Sequence, residues 1–175
     1  AYSFQIFFDF SGYTDIAIGI ARLVGVSLPE NFKSPYLKPN LMQFWNNWHM
    51  TLALWFRGYY FNPLMRSLRS GKKLSLLVIV FITQVSTMLL IGIWHGVTLN
   101  FALWGLWHGV GLFIHNRWNE YARVHVARWA STSLRASLLN LSGIFLTFNF
   151  VSIGWVFFST SSLSLAWNFL SKLVF

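Results

Sequence analysis

The chain has 175 residues, of which 55% are hydrophobic and only 10% charged, and it carries 18 Phe and 10 Trp. A soluble domain of this length holds about a quarter charged residues, and its interior is too small to bury so much apolar surface, so the composition excludes an ordinary soluble globule. The formal charge of +9 is concentrated in two segments between long apolar runs. That is the distribution of loops facing an anionic membrane leaflet, which makes lipid, and not nucleic acid, the expected partner.

With no Cys, disulfides and thiol nucleophiles are excluded. The first 28 residues are apolar but interrupted by Asp9, Ser11, Gly12, Asp15 and Arg22. They read as part of a span or as a helix packed among others. The stretch "SLPENFKSPYLKPN" (27–40) holds three of the four prolines and predicts an irregular connection. Residues 41–61 follow, with Asn40 as a candidate cap and Phe44, Trp48, Leu52 and Trp55 repeating every three or four positions. This predicts an amphipathic helix at the membrane interface or spanning it.

"RSLRSGKK" (66–73) predicts a basic loop. The clearest transmembrane segment is 74–94, uncharged throughout and about 30 Å long as a helix. Residues 97–114 return across the membrane, 115–137 form a second basic loop with Arg117, Arg123, Arg128 and Arg135, and 138–158 span again. Both basic loops are expected on the cytoplasmic side, with a hairpin between them. Neither terminus has the character of a natural end, so the chain is expected to be the C-terminal part of a longer multi-pass protein. The fold class predicted is all-α, polytopic and transmembrane.

Chemistry is offered mainly by histidines. Trp-His-Gly occurs at 94–96 and again at 107–109. An imidazole near the bilayer core is costly unless it has a polar partner or faces a cavity, and its near-neutral pKa suits it to take a proton from an alcohol. His95 is therefore either a general base for group transfer or an interfacial histidine bonded to a carbonyl. His108 lies ~20 Å of helix rise further on, so the two rings need not meet. His49, which follows Trp45 and Trp48, converges with His95 only through tertiary folding. His115 and His125 fall in a basic segment and read as surface residues. The histidine spacings match no short-spacing metal motif, and no metal is expected. There is no G-x-S-x-G elbow and no glycine-rich nucleotide loop. Asp9 and Asp15 flank "FSGYT", where they either line a polar path or serve as local caps. Arg57 either snorkels to the interface or steadies an anionic group.

Three stretches in order, "FQIFFDFSGYTDIAIGIARLVGVSLPENFKSPYL", "FWNNWHMTLALWFRGYYFNPL" and "IGIWHGVTLNFALWGLWHGVGLF", resemble the membrane-bound O-acyltransferase family, most of all its bacterial alginate O-acetyltransferase membrane subunits. The teichoic-acid D-alanyl transfer proteins are a more distant resemblance. The resemblance extends over nearly the whole chain and implies a partial family domain over 1–175, with helices missing on the N-terminal side, built around a tunnel. It places the family's invariant histidine at His95 and its second histidine at His49. The expected tunnel-lining or supporting set is His108, Asp9, Asp15, Trp48, Trp55, Arg57 and Asn100. Asn47 departs from the family, whose members usually carry a basic residue there. The implied activity is O-acyl, and in particular O-acetyl, transfer from acetyl-CoA or a carrier-bound thioester, with no bound cofactor, to hydroxyls of an extracytoplasmic polysaccharide such as alginate. His95 would act as general base on an acceptor hydroxyl or help relay the acyl group across the tunnel, while His49 would orient the acceptor or stabilise developing negative charge. A separate extracytoplasmic acetyltransferase is an expected partner, and the bacterial inner membrane the expected location. The alternative is a transporter-like or scaffold subunit that docks a separate enzyme.

Overall fold

The computed structural model describes residues 2–125 and 132–174, and within them the chain is helical almost throughout. Helix α1 (Tyr2–Leu23) leads into an extended connection containing one 3-10 turn (Pro35–Leu37). Two short helices, α2 (Leu41–Trp45) and α3 (Met50–Phe56), follow, then one π-helical turn (Arg57–Phe61) and α4 (Asn62–Ser70). The remainder is α5 (Leu76–His95), α6 (Leu99–His125), α7 (Ser133–Ser159) and α8 (Leu163–Val174).

Two helices are long and apolar enough to cross a membrane, α5 and α7. Only 33% and 28% of their most apolar windows are buried, the reverse of a core helix in a soluble protein. The apolar remainder faces outward, as Phe145 and Leu146 do. Ser75 caps α5, its hydroxyl accepting from the Val78 amide at 3.4 Å, and Thr132 caps α7 in the same way through Arg135.

The expected hairpin is present as α5 and α6, and small residues decide how close the two helices lie. A Cβ on Gly105 would collide with the carbonyl of Met88, and one on Gly109 would sit 2.8 Å from the Cα of Val85. Gly92 meets the Phe101 carbonyl in the same way from the opposite helix. Such backbone-on-backbone contact is how helices associate where lipid removes the hydrophobic drive. Helix α7 is fastened by polar links: Trp107 Nε1 donates to the Phe150 carbonyl at 3.0 Å, and the Ser3 and Ser152 hydroxyls meet at 3.0 Å. Tyr36 joins three elements, donating to the Ser3 carbonyl at 2.6 Å and accepting from Trp155 Nε1 at 3.1 Å.

The structure redraws three expected boundaries. Residues 41–61 do not form one helix. The chain breaks after Trp45 and resumes at Met50, because residues 47–50 pair with the extended connection: the Lys33 amide donates to the Asn47 carbonyl and the Met50 amide to the Asn31 carbonyl. The basic stretch at 66–73 is mostly helix α4, whose Leu64, Met65 and Leu68 are half-buried while Arg66 and Arg69 stay exposed; apolar periodicity overrides the charge. Helix α6 likewise runs on to His125, with Arg117 in a forked pair with Glu120 at 2.8 Å. Arg128 lies outside the described residues.

Candidate active site

His95 and His49 come together although 46 positions separate them in the sequence. His95 is the last residue of α5, where the chain turns into α6. Its ring sits in an aromatic cage, with ring centroids of Trp94 at 4.9 Å, Phe158 at 5.0 Å and Trp104 at 5.5 Å. His49 occupies the break between α2 and α3, with φ 43° and ψ 55°. A left-handed backbone is uncommon for a residue with a side chain and tends to persist where surrounding contacts enforce it. Here the flanking pairs to Asn31 and Lys33 enforce it. The ring makes edge contact with Phe10 at 4.8 Å, and Nδ1 lies 3.2 Å from Asn31 Oδ1. Burial pushes the His49 imidazole below its ordinary pKa, because the charged form loses hydration.

Both histidines line one small apolar cavity of about 60 Å³, walled by Trp45, Trp48, Ile91, Trp104, Trp155 and Phe158 among others. The cavity abuts two larger clefts. The first, about 520 Å³, shares His49, His95, Ile6, Phe10 and Phe158 with it and adds Tyr2, Gln5 and Asp9. The second, about 330 Å³, shares Trp45, Ala53 and Ile91 and adds Asn46, Arg57, Gln84, Thr87 and Asn116. The second cleft reaches toward the basic end of the α5–α6 hairpin, since Gln84 lies ~16 Å of helix rise from His95. The two imidazoles therefore line a small aromatic cavity whose wall residues are shared with both larger clefts.

The other expected residues divide by position. Trp48 is buried, stacked on Phe44 at 5.5 Å, and forms part of the cavity wall. Asp9 lines the larger cleft, and Arg57 lines the other, its Nη2 donating to Asn46 Oδ1 at 2.6 Å. His108 is wholly buried behind the wall, in contact with Trp45 and Trp104 at 5.1 Å each, and it lines none of these cavities. Asn100 is a tether: its side-chain amide donates to the Thr160 carbonyl at 2.7 Å and hydroxyl at 3.1 Å, holding the start of α6 to the α7–α8 turn. Trp55 and Asp15 are exposed and border none of the three spaces. Asn47 spends its amide on the Gln43 carbonyl at 2.8 Å.

Sequence reasoning missed Asn31, which touches His49 from the irregular connection, and Gln84, a polar residue inside an apolar span. The second carried a signal, because a buried amide in a membrane helix needs a reason. Among the described residues no group of three or more His, Cys, Asp or Glu could hold a metal ion.

This helical chain, with two histidines lining one aromatic cavity, matches the model of the membrane-bound O-acyltransferase family over residues 1–163, and the chain belongs to that family. It is 36% identical over 174 residues to the peptidoglycan O-acetyltransferase of Helicobacter pylori, covering 99% of this chain and 30% of that protein. A probable alginate O-acetylase of Pseudomonas syringae is 37% identical over 169 residues, covering 95% and 29%. The teichoic acid D-alanyltransferase of Bacillus subtilis is 33% identical over 159 residues, covering 90% and 39%. The chain thus spans between 29% and 39% of the length of these relatives.

Proposed function

We propose that this chain carries the reaction centre of a membrane O-acyltransferase that moves an acyl group, in particular acetyl, from a thioester toward hydroxyls of an extracytoplasmic polysaccharide. The observation that carries this reading is the convergence of His49 and His95 on one aromatic cavity that shares wall residues with two larger clefts. The Arg57 cleft lies toward the basic end of the hairpin, which the positive-inside rule assigns to the cytoplasm, where thioesters are made. Its lining includes Asn46, Thr87, Gln84 and Asn116, polar side chains that offer partners to the amides of an extended donor arm. Arg57 offers a cation to the donor's anionic groups.

In the reaction, the acceptor oxygen attacks the thioester carbonyl carbon while its proton passes to the His95 imidazole. The tetrahedral adduct collapses with cleavage of the carbon–sulfur bond, and the imidazolium returns the proton to the departing thiolate. An ester and a free thiol result. His49 orients the acceptor, and the aromatic wall keeps bulk water from the thioester. The relatives act on peptidoglycan, alginate and teichoic acid by their names, which supports a cell-envelope acceptor reached from a bacterial inner membrane. Where a separate extracytoplasmic acetyltransferase supplies the accepting hydroxyl, that protein would hand the acyl group on to the polymer.

The test is His95→Ala in the full-length protein in its native membrane, with ester on extracellular polysaccharide and protein abundance measured together. Loss of ester at normal abundance is expected. Retained ester removes the imidazole from the chemistry and leaves a transport-like or docking subunit as the reading.

A further inference from the structure

The side chain of Asn31 makes three contacts through one atom. Its Oδ1 lies 2.7 Å from Thr51 Oγ1, 3.3 Å from the Thr51 amide nitrogen and 3.2 Å from His49 Nδ1. A backbone amide only donates, so the atom that faces it must be the carboxamide oxygen and not the nitrogen, which fixes which way the Asn31 amide points. A carboxamide oxygen only accepts. The nitrogen of His49 that meets it therefore carries the ring hydrogen, and a neutral imidazole with hydrogen on Nδ1 has a bare lone pair on Nε2.

The main chain reinforces the arrangement. The Asn31 carbonyl accepts from the Met50 amide at 3.0 Å, so Asn31 satisfies the first two amides of α3 from a distant segment. His49, the residue at the cap position, makes no side-chain cap of its own. The same residue thus orders the backbone that bears His49 and the ring that His49 presents to the cavity.

We infer that Asn31 is a positioning residue that holds His49 in the Nδ1–H tautomer, leaving Nε2 as a hydrogen-bond acceptor toward the cavity shared with His95. The consequence for mechanism rests on the acyl-transfer reading above. A neutral His49 with bare Nε2 does not donate to an oxyanion from that atom. It accepts a hydrogen from the acceptor hydroxyl or from the His95 ring, which orients either one without taking part in the bond exchange.

The tautomer is read directly by ¹⁵N chemical shifts of ring-labelled histidine in the full-length protein in bilayers, with His49 assigned by the signals lost in His49→Gln. Wild type is expected to show a protonated Nδ1 and an unprotonated Nε2 at His49. Asn31→Ala is expected to move the ring toward the Nε2–H form that free histidine prefers, and to lower ester formed per unit protein by roughly 10- to 100-fold, within the range of a lost positioning contact. Asn31→Asp keeps an acceptor at the same place and restores both the shifts and the ester.

A protonated Nε2 at His49 in wild type overturns the inference, and so does Asn31→Ala with unchanged ring shifts, whether or not ester falls. If His95→Ala keeps its ester while the His49 shifts respond as expected, acyl transfer at His95 fails and the Asn31–His49 assignment stands.

Discussion

Replacing Gly105 by alanine sets two known effects against each other. Alanine is favoured over glycine inside a helix by about 1 kcal/mol, so in open space the change stabilises. Gly105 is not in open space: a Cβ there would lie 2.9 Å from the Cα of Leu89 and closer still to the Met88 carbonyl oxygen. Ordinary contact begins at 3.4 Å, so α5 and α6 must separate by at least the 0.5 Å difference, and the obstacle is main chain that cannot rotate away. Overpacking of this kind costs about 1–3 kcal/mol, enough to offset the propensity gain and leave a net loss. Gly71→Ala is the control, since its nearest neighbour is the Leu68 carbonyl at 3.7 Å and its φ of −67° suits alanine. Thermal unfolding of the purified full-length protein in detergent, followed by Trp fluorescence, should show Gly105→Ala lower than wild type and Gly71→Ala unchanged or higher. A Gly105→Ala protein as stable as the control would refute the claim that backbone contact sets the α5–α6 distance.

Three further outcomes are expected. Asn100→Ala removes both bonds to Thr160 and leaves a half-buried carbonyl and hydroxyl without that donor, costing about 1 kcal/mol; a lower Tm with unchanged ester per folded molecule would mark Asn100 as a tether, and a specific loss of ester would place it in the chemistry. Arg57→Gln should raise the KM for acetyl-CoA, used as probe donor, severalfold with little change in kcat, and an unchanged KM would take Arg57 out of donor binding. Because burial lowers the His49 pKa, the unfolded chain takes up a proton that the folded one resists as pH falls below about 6.5. The stability that His49 contributes is therefore present above that pH and lost on acidification toward its folded pKa. His49→Gln should flatten the fall in Tm between pH 7 and 5, and equal slopes for the two proteins would count against it.

Much of the architecture follows from local rules that sequence carries. Ser75 and the uncharged run after it specify α5, the Trp-His-Gly turn ends it, and Asn40 caps α2 through the Gln43 amide at 2.9 Å as its residue type suggests. Hydrophobic periodicity also specified α4, but the arginines on its outer face masked it when charge was taken as the sign of a loop. The break at 46–49 was not legible, because the aromatic repeat continues through it. What stops the helix is pairing with residues 31 and 33, a contact between segments that no periodicity records.

The same division holds at the site. The histidines, the paired glycines and the tryptophans announced themselves because such residues are expensive or rare in apolar sequence, and their order is enough to indicate the family. Which of them share a cavity was decided only by the fold. His95 and His49 meet because α5 ends where the α2–α3 break exposes a left-handed His49, whereas His108, in the same triplet, is turned into the packed layer between Trp45 and Trp104. Asn31 could be found in no other way. Its role depends on one oxygen lying within hydrogen-bond reach of Thr51 and His49, and direction in space is the property that a linear sequence does not carry.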